Sequence, residues 1–239
     1  MKQSKATLAI TLLGLALTAA GSQAATPTAA QKAKGQEVTK KLTALLNKRI
    51  QTTSGGKLQI KIVPAARADQ GYFSEIFISA NPARIKKLRF SELTLRARNV
   101  RISPTSLLKD NKLVTLASTT TMRAVITEDE VTEALAKGRS SKDKDLKVKF
   151  VAGKVRVTGK WSMSWFSGPM EAVGKLRLGT GHTVMADIET LKLNGKQVPD
   201  GLKKKFSDKI NPLVDYTDLP FRPPFKAMRV TGTKAIITA

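Results

Sequence analysis

Apolar residues recur along this chain at two spacings, and the switches between them divide it into helices and strands. From Glu37 the apolar positions are Val38, Leu42, Leu45, Leu46 and Ile50, three to four residues apart. That stripe predicts an amphipathic helix with Lys40, Lys41 and Lys48 on its far side, ended by Ser54-Gly55-Gly56. Leu58, Ile60 and Ile62 then alternate with Lys57, Gln59 and Lys61, the period of a half-buried strand that stops at Pro64. Tyr72 to Ile78 is a second apolar run, closed by Asn81-Pro82. Between Ile85 and Ile102 the alternation holds in three blocks: Leu88 and Phe90; Leu93, Leu95 and Ala97; Val100 and Ile102. It slips by one residue near Ser91-Glu92 and again near Arg98-Asn99. Such a slip is the sequence form of a β-bulge, which bends and twists a sheet. The region reads as one long, strongly curved strand or as two strands closely joined.

Thr127-Glu128-Asp129-Glu130 has the form of a capping box, followed by the buried stripe Val131, Ala134 and Leu135 and a stop at Gly138. The three acids suit the positive end of that helix, and no histidine lies nearby to complete a metal site. After a charged loop from Arg139 to Asp145, Leu146, Val148 and Phe150 lead through Ala152-Gly153 to Val155 and Val157, a hairpin pattern. Trp161, Met163 and Trp165 continue on one face, and a turn is expected at Ser167-Gly168-Pro169. Met170, Ala172, Leu176 and Leu178 form the next strand, and Val184, Ala186 and Ile188 shift phase into Leu191 and Leu193. Four segments of this kind predict an antiparallel meander with one apolar and one basic face. Asp200 is placed to cap a second helix carrying Leu202, Phe206 and Ile210, with Lys203, Lys204, Lys205 and Lys209 around it and Asn211-Pro212 at its end. A Pro-stiffened crossing, Leu219 to Phe225, precedes a last strand from about Met228 to Thr238. The fold class is α+β, in a single domain over residues 37–239, after a flexible lead-in over 25–36.

The first residues change the compartment. Lys2 and Lys5, the apolar run Leu8 to Ala20 and the small residues of Ser22-Gln23-Ala24 make residues 1–24 a cleavable secretory signal. The run is too short to span a bilayer. With no cysteine in the chain, a lipid anchor on a cysteine, thiol catalysis and thiolate metal sites are excluded. Of the net charge of +24, the signal carries only two, so the exported part keeps +22. In the cytoplasm such a charge points to nucleic acid. Export removes that expectation and turns it to anionic lipid head groups, acidic glycans or a charged envelope surface, in the periplasm, the envelope or the medium. A merely solvated surface is the alternative, although +22 exceeds what solubility asks of a small domain.

Catalysis has little to work with. His182, the single histidine, sits at the glycine turn Gly179-Thr180-Gly181, and no Gly-x-Ser-x-Gly elbow or phosphate-cradling loop occurs. No cofactor, metal site or catalytic set is expected.

Several segments of the second half occur in a recognisable order: Val125 to Leu135, Gly153-Lys154-Val155-Arg156-Val157-Thr158-Gly159, Leu191-Lys192-Leu193-Asn194-Gly195, and Ile210-Asn211-Pro212-Leu213-Val214-Asp215 followed by Leu219-Pro220-Phe221. This arrangement resembles the bacterial LmeA-like family of exported phospholipid-binding proteins. The resemblance implies a TULIP-like fold, a long curved antiparallel sheet wrapped around amphipathic helices, with an apolar groove for acyl chains. A carrier of that kind needs an apolar lining and a few cations at its mouth. Leu88, Phe90, Leu93, Leu95, Met163, Phe206 and Ile210 are the lining candidates, with ordinary core as their other reading. Trp161, Trp165 and Phe166 are candidates for contact with a membrane interface, or else core. Lys147, Lys149, Arg156, Lys160, Lys175 and Arg177, with Lys203, Lys204 and Lys205, are the head-group and membrane-surface candidates. The expected ligand is an anionic phospholipid, and the expected function lipid binding or carriage. A non-catalytic envelope adaptor, gripping acidic glycans or partner proteins by charge, is the alternative.

Overall fold

The computed structural model describes residues 26–52, 55–85, 88–137, 145–163, 166–180 and 182–239. The expected leader over 1–24, Gly138, most of the 139–145 loop and Trp165 lie outside the described residues. So do the side chains of Leu88, Ala134, Trp161, Met163, Phe166 and Lys209.

The chain enters its first helix, α1 (Ala29–Arg49), before the apolar stripe begins. The expected lead-in is therefore helical from Ala29 onward. The cause is a capping box: Thr28 Oγ1 accepts from Gln31 N at 3.2 Å, and Thr28 N donates to Gln31 Oε1 at 2.8 Å. The Ala, Lys and Gln that follow are good helix formers. The buried stripe is Gly35, Val38, Leu42, Leu45 and Leu46.

Seven strands and a short helix follow: β1 (Ile50–Gln51), β2 (Lys57–Pro64), β3 (Tyr72–Asn81), β4 (Ala83–Ile85), β5 (Leu88–Phe90), β6 (Glu92–Ile102), α2 (Pro104–Leu108) and β7 (Thr115–Thr127). Each of the two alternation slips has its own structural meaning. At Ser91 the chain changes sheets: Leu88 pairs with Ile85 in a small sheet ordered β1-β4-β5, whereas Glu92 pairs with Val125 in the main sheet. At Arg98-Asn99 lies a bulge, with the β6–β7 register passing from Arg98↔Thr119 to Arg101↔Ala117 and Asn99 at φ 50. A second slip, Arg101↔Ala117 to Ile102↔Thr115, leaves Leu116 as the extra residue on β7.

Helix α3 (Glu128–Lys137) begins with the predicted box, in which Thr127 N donates to Glu130 Oε2 at 2.7 Å and Glu130 N to Thr127 Oγ1 at 3.4 Å. Glu128 has a separate task. Its carboxylate, 7% exposed, accepts from Phe150 N at 2.7 Å and from Lys149 Nζ at 2.8 Å. Those bonds fasten the helix to β8 (Lys147–Val151), the first strand of a meander continued by β9 (Lys154–Met163), β10 (Phe166–Leu178) and β11 (Thr183–Leu193). Ala152 (φ 50) and Gly153 (φ 77) make the tight β8–β9 turn. The turn expected at Ser167-Gly168-Pro169 is not there: these residues lie inside β10, paired with Ser162, Trp161 and Lys160. Pairing of β10 with β11 begins only at Met170, so Pro169 has a strand on one side and its missing N–H costs no ladder bond. Gly174 marks the β10–β11 slip, where a Cβ would collide with the Asp187 carbonyl oxygen.

After β12 (Lys196–Gln197), helix α4 (Asp200–Ile210) starts from Pro199 as N-cap. Asp200 is its first helical residue, not its cap, and pairs with Lys203 at 2.8 Å. Asn211 ends the helix and anchors it. Its Oδ1 accepts from Ala186 N at 2.8 Å and its Nδ2 donates to Ala186 O at 2.9 Å, so the amide acts as one rung of a ladder on β11. The chain then adds β13 (Val214–Asp215) to β11 and closes with a hairpin, β14 (Ala227–Thr231) and β15 (Lys234–Thr238), turned at Gly232 (φ 56). That hairpin replaces the single last strand expected, because the glycine reverses the chain midway. The main sheet is ordered β14-β15-β7-β6-β3-β2 and the meander β12-β11-β10-β9-β8, all antiparallel. One apolar cluster runs through both sheets and the helices, from Leu42 and Leu95 to Ala172 and Phe206. Among the described residues no helix is long and apolar enough to cross a membrane.

Two substitutions test the polar pins. Glu128→Ala leaves the Phe150 N–H without its acceptor and should cost about 1–3 kcal/mol in denaturant unfolding. The Lys149 ammonium and the Phe150 N–H hold the Glu128 carboxyl below the usual carboxylate range despite its burial. Its contribution is thus complete above the unfolded carboxylate pKa and lost as pH falls through the lower folded value. Glu128→Gln should therefore flatten that acid limb of the stability profile. Asn211→Ala, which removes both bonds to Ala186, should lower stability by about 2 kcal/mol without changing the far-ultraviolet spectrum.

Candidate functional site

Strand β15 covers one edge of β7 only in part. Its pairing runs from Lys234↔Thr127 to Thr238↔Arg123, and Ala239 exchanges backbone bonds of 3.0 and 3.1 Å with Met122. Past that point β7 has β6 on one side and, among the described residues, no strand on the other. A groove of about 770 Å³ opens here, between residues 112–118 and the segment Thr217 to Arg222, with Arg49 and Ile85 from the end of α1 and from β4. Its volume falls in the range of small-ligand sites. Eight of its fifteen lining residues are apolar: Ile85, Leu113, Val114, Leu116, Ala117, Leu219, Pro220 and Phe221. Arg49, Lys112 and Arg222 add three cations and Asp218 one acid.

The groove exists because of local features on both sides. The bulge that makes Leu116 the odd residue of β7 leaves its side chain 54% exposed beside the groove. Bulges commonly re-aim a side chain next to a site. The opposite wall hangs from Tyr216, which stacks on Phe90 at 5.5 Å and meets Phe225 edge-on at 5.3 Å. Its hydroxyl is buried without a hydrogen-bond partner, and burial, helped by the charge of Glu130, pushes its pKa far up. Beyond it Phe221 (φ 60) and Arg222 (φ 40) are successive left-handed residues, a conformation that costs roughly 1–2 kcal/mol for each non-glycine residue. The result is a sharp bend that buries Phe221 and exposes Arg222. A second depression, about 510 Å³ between α1 and residues 64–69, contains none of the exposed large apolar side chains.

The lining candidates of the sequence lie elsewhere. Phe90, Leu93, Leu95, Phe206 and Ile210 are all buried in the continuous core, and none borders the groove. For Leu88 and Met163 only the backbone is described, in β5 and β9. Of the aromatic trio, Trp161 and Phe166 lie on paired stretches of β9 and β10. The cation candidates Lys147, Lys149, Arg156, Lys160, Lys175 and Arg177 do fall on three adjacent strands and are exposed. They are interleaved with acids, however. Arg156 pairs with Glu171 at 3.2 Å, Lys175 with Glu189 at 3.4 Å, and Arg177 with Asp187 at 2.7 Å. Lys154, hydrogen-bonded to Glu189, holds that carboxyl low with help from Lys175. On α4, Lys203 is tied to Asp200, while Lys204 and Lys205 are exposed.

The residues that do line the groove had weak signals. Arg222 belongs to the Pro-stiffened crossing, and Leu116 stands in an Ala-Ser-Thr-Thr-Thr context with no readable period. Arg49 is only the last residue of a helix. The groove holds hydroxyls (Thr115, Ser118, Thr217) but no histidine. His182 packs edge-on against Phe225 at 5.7 Å. Among the described residues no three acidic or imidazole groups gather as a metal site.

Apolar walls with a few cations are what an amphiphile with a charged head requires, and comparison with known proteins points the same way. No curated protein and no solved structure matches the chain. The family model for LmeA-like phospholipid-binding proteins matches residues 29–239, from the first residue of α1 to the end. The chain belongs to the LmeA-like phospholipid-binding family.

Proposed function

We propose that this chain is an exported phospholipid-binding or lipid-carrying protein of the bacterial cell envelope. In this reading it takes acyl chain along the groove beside Leu116 and sets an anionic head group among Arg49, Lys112 and Arg222. The groove carries the reading: it joins exposed apolar side chains to three cations in a volume suited to part of a lipid. Family membership supports the ligand class. The leader pattern of residues 1–24 supports export. The bends at Asn99, Leu116 and Gly174 support a TULIP-like wrap of sheet about helix. Phe90, Leu93, Leu95, Phe206 and Ile210 hold the fold as core and do not line the groove. Lys147, Lys160, Lys204 and Lys205 add long-range attraction to anionic surfaces, whereas the paired cations of the meander add less.

The test is mass spectrometry of lipid carried through purification of the exported form. Wild-type protein should retain phospholipid, and Leu116→Glu should reduce the retained amount several-fold. Because Leu116 is more than half exposed, that variant should unfold within about 0.5 kcal/mol of wild type. Wild-type protein that is repeatedly free of lipid and does not bind anionic liposomes at moderate salt overturns the proposal.

A further inference from the structure

Three large apolar side chains are exposed among the described residues: Val114 (40%), Leu116 (54%) and Val151 (47%). A single exposed valine such as Val151 is ordinary on any protein surface. Val114 and Leu116 are different, because they flank one residue, Thr115, and both border the groove.

The connection that presents them is built rather than loose. Ser103 caps α2, accepting from Ser106 N at 3.2 Å, and Leu107 is fully buried beneath it. Lys112 N donates to Ser106 O at 2.9 Å, and Ser103 N to Val114 O at 3.0 Å. Asn111, left-handed at φ 53, turns the chain between them. The outcome is a knuckle from Lys109 to Leu116 whose Leu113 packs against the core while Lys109, Lys112, Val114 and Leu116 face outward. Arg49 and Arg222 line the groove with Lys112 and Asp218, and Lys109 and Asp110 are exposed at the start of the knuckle, so four cations and two acids accompany the apolar pair. Apolar side chains accompanied by long cationic ones match the layering of an anionic bilayer, in which phosphates lie above acyl carbon.

We infer that this knuckle is the membrane-docking element: Val114 and Leu116 enter the interface of an anionic phospholipid bilayer, and Lys109 and Lys112 lie among its phosphates. The groove mouth then opens onto the lipid surface, and a lipid passes between bilayer and groove without crossing water. The purpose of the contact rests on the lipid-carrying reading above; the contact itself does not.

The chain has no cysteine, so one introduced thiol takes one label. Val114→Cys, Val151→Cys and Phe166→Cys, each carrying an environment-sensitive nitrobenzoxadiazole, are mixed with phosphatidylcholine vesicles with and without phosphatidylglycerol. The label at 114 should brighten and shift to the blue on the anionic vesicles only, while the emission of those at 151 and 166 does not change with either vesicle. In co-sedimentation Lys109→Glu, outside the groove lining, should weaken binding to the same vesicles about tenfold. A response at 151 or 166 but not at 114, or Lys109→Glu binding as wild type, overturns the inference. A chain that carries lipid while the label at 114 stays in water sinks the docking surface and leaves the lipid-binding proposal standing. A chain whose label embeds although it never carries lipid does the reverse.

Discussion

Strands β6 and β7 pair residue by residue from Glu92↔Val125 to Arg98↔Thr119, and then each strand contributes one extra residue, first near Asn99 and then at Leu116. An unpaired residue on one strand bends it and increases its twist. With one on each strand the register recovers, β6 stays paired with β3 as far as Tyr72↔Arg101, and past Met122 β7 has no strand on its other edge among the described residues. The exposed Leu116 at the edge of the groove follows from that double slip. Had the ladder stayed in register, the side chain of Leu116 would have alternated with its neighbours and met the inner or outer face like any other.

Apolar packing joins the meander to the rest of the fold, and two polar pins dock a helix on it, α3 on β8 and α4 on β11. Glu128, at the start of α3, takes hydrogen from the backbone of Phe150, and Asn211, at the end of α4, completes a rung at Ala186. A buried backbone N–H without an acceptor costs about as much as the bond is worth in dry surroundings, so these side chains specify where the elements dock. They also give physical content to two segments that look chemical in the sequence. The acidic Glu128-Asp129-Glu130 is a helix start and a strand anchor, and Asn211-Pro212 is a helix end tied to a strand.

Charge in this protein is arranged rather than spread. The net excess of +24 is large. Yet on the outer face of the meander most cations meet a carboxylate, and exposed pairs of this kind contribute roughly 0–1 kcal/mol each. Other exposed cations stand on α1, on β2, on α4, on the meander at Lys147 and Lys160, and at the groove mouth. Strength of attraction follows the total charge, whereas the place of contact follows which cations lie beside apolar surface.

Much of this was legible in the residues. The period of three to four placed α1, α3 and α4; the alternation with its two slips placed β5, β6 and the bulge; Ala152-Gly153 and Asn211-Pro212 marked a hairpin and a helix end. These are local signals, set by backbone geometry and by which face a residue must bury. The early start of α1 was also local, written in Thr28 and Gln31 but hidden by the absence of an apolar stripe there. The candidate site was not legible. Leu88, Phe90, Leu93 and Leu95 share the alternation of any core strand, and sequence alone does not say which end of an apolar face will be left uncovered. That depends on where β15 stops against β7 and on which loop Tyr216 holds opposite, contacts between residues more than 100 positions apart. The sequence by itself determined the main helices and strands and the family; the tertiary structure decided where the apolar face stays open, because burial is settled only when distant segments meet.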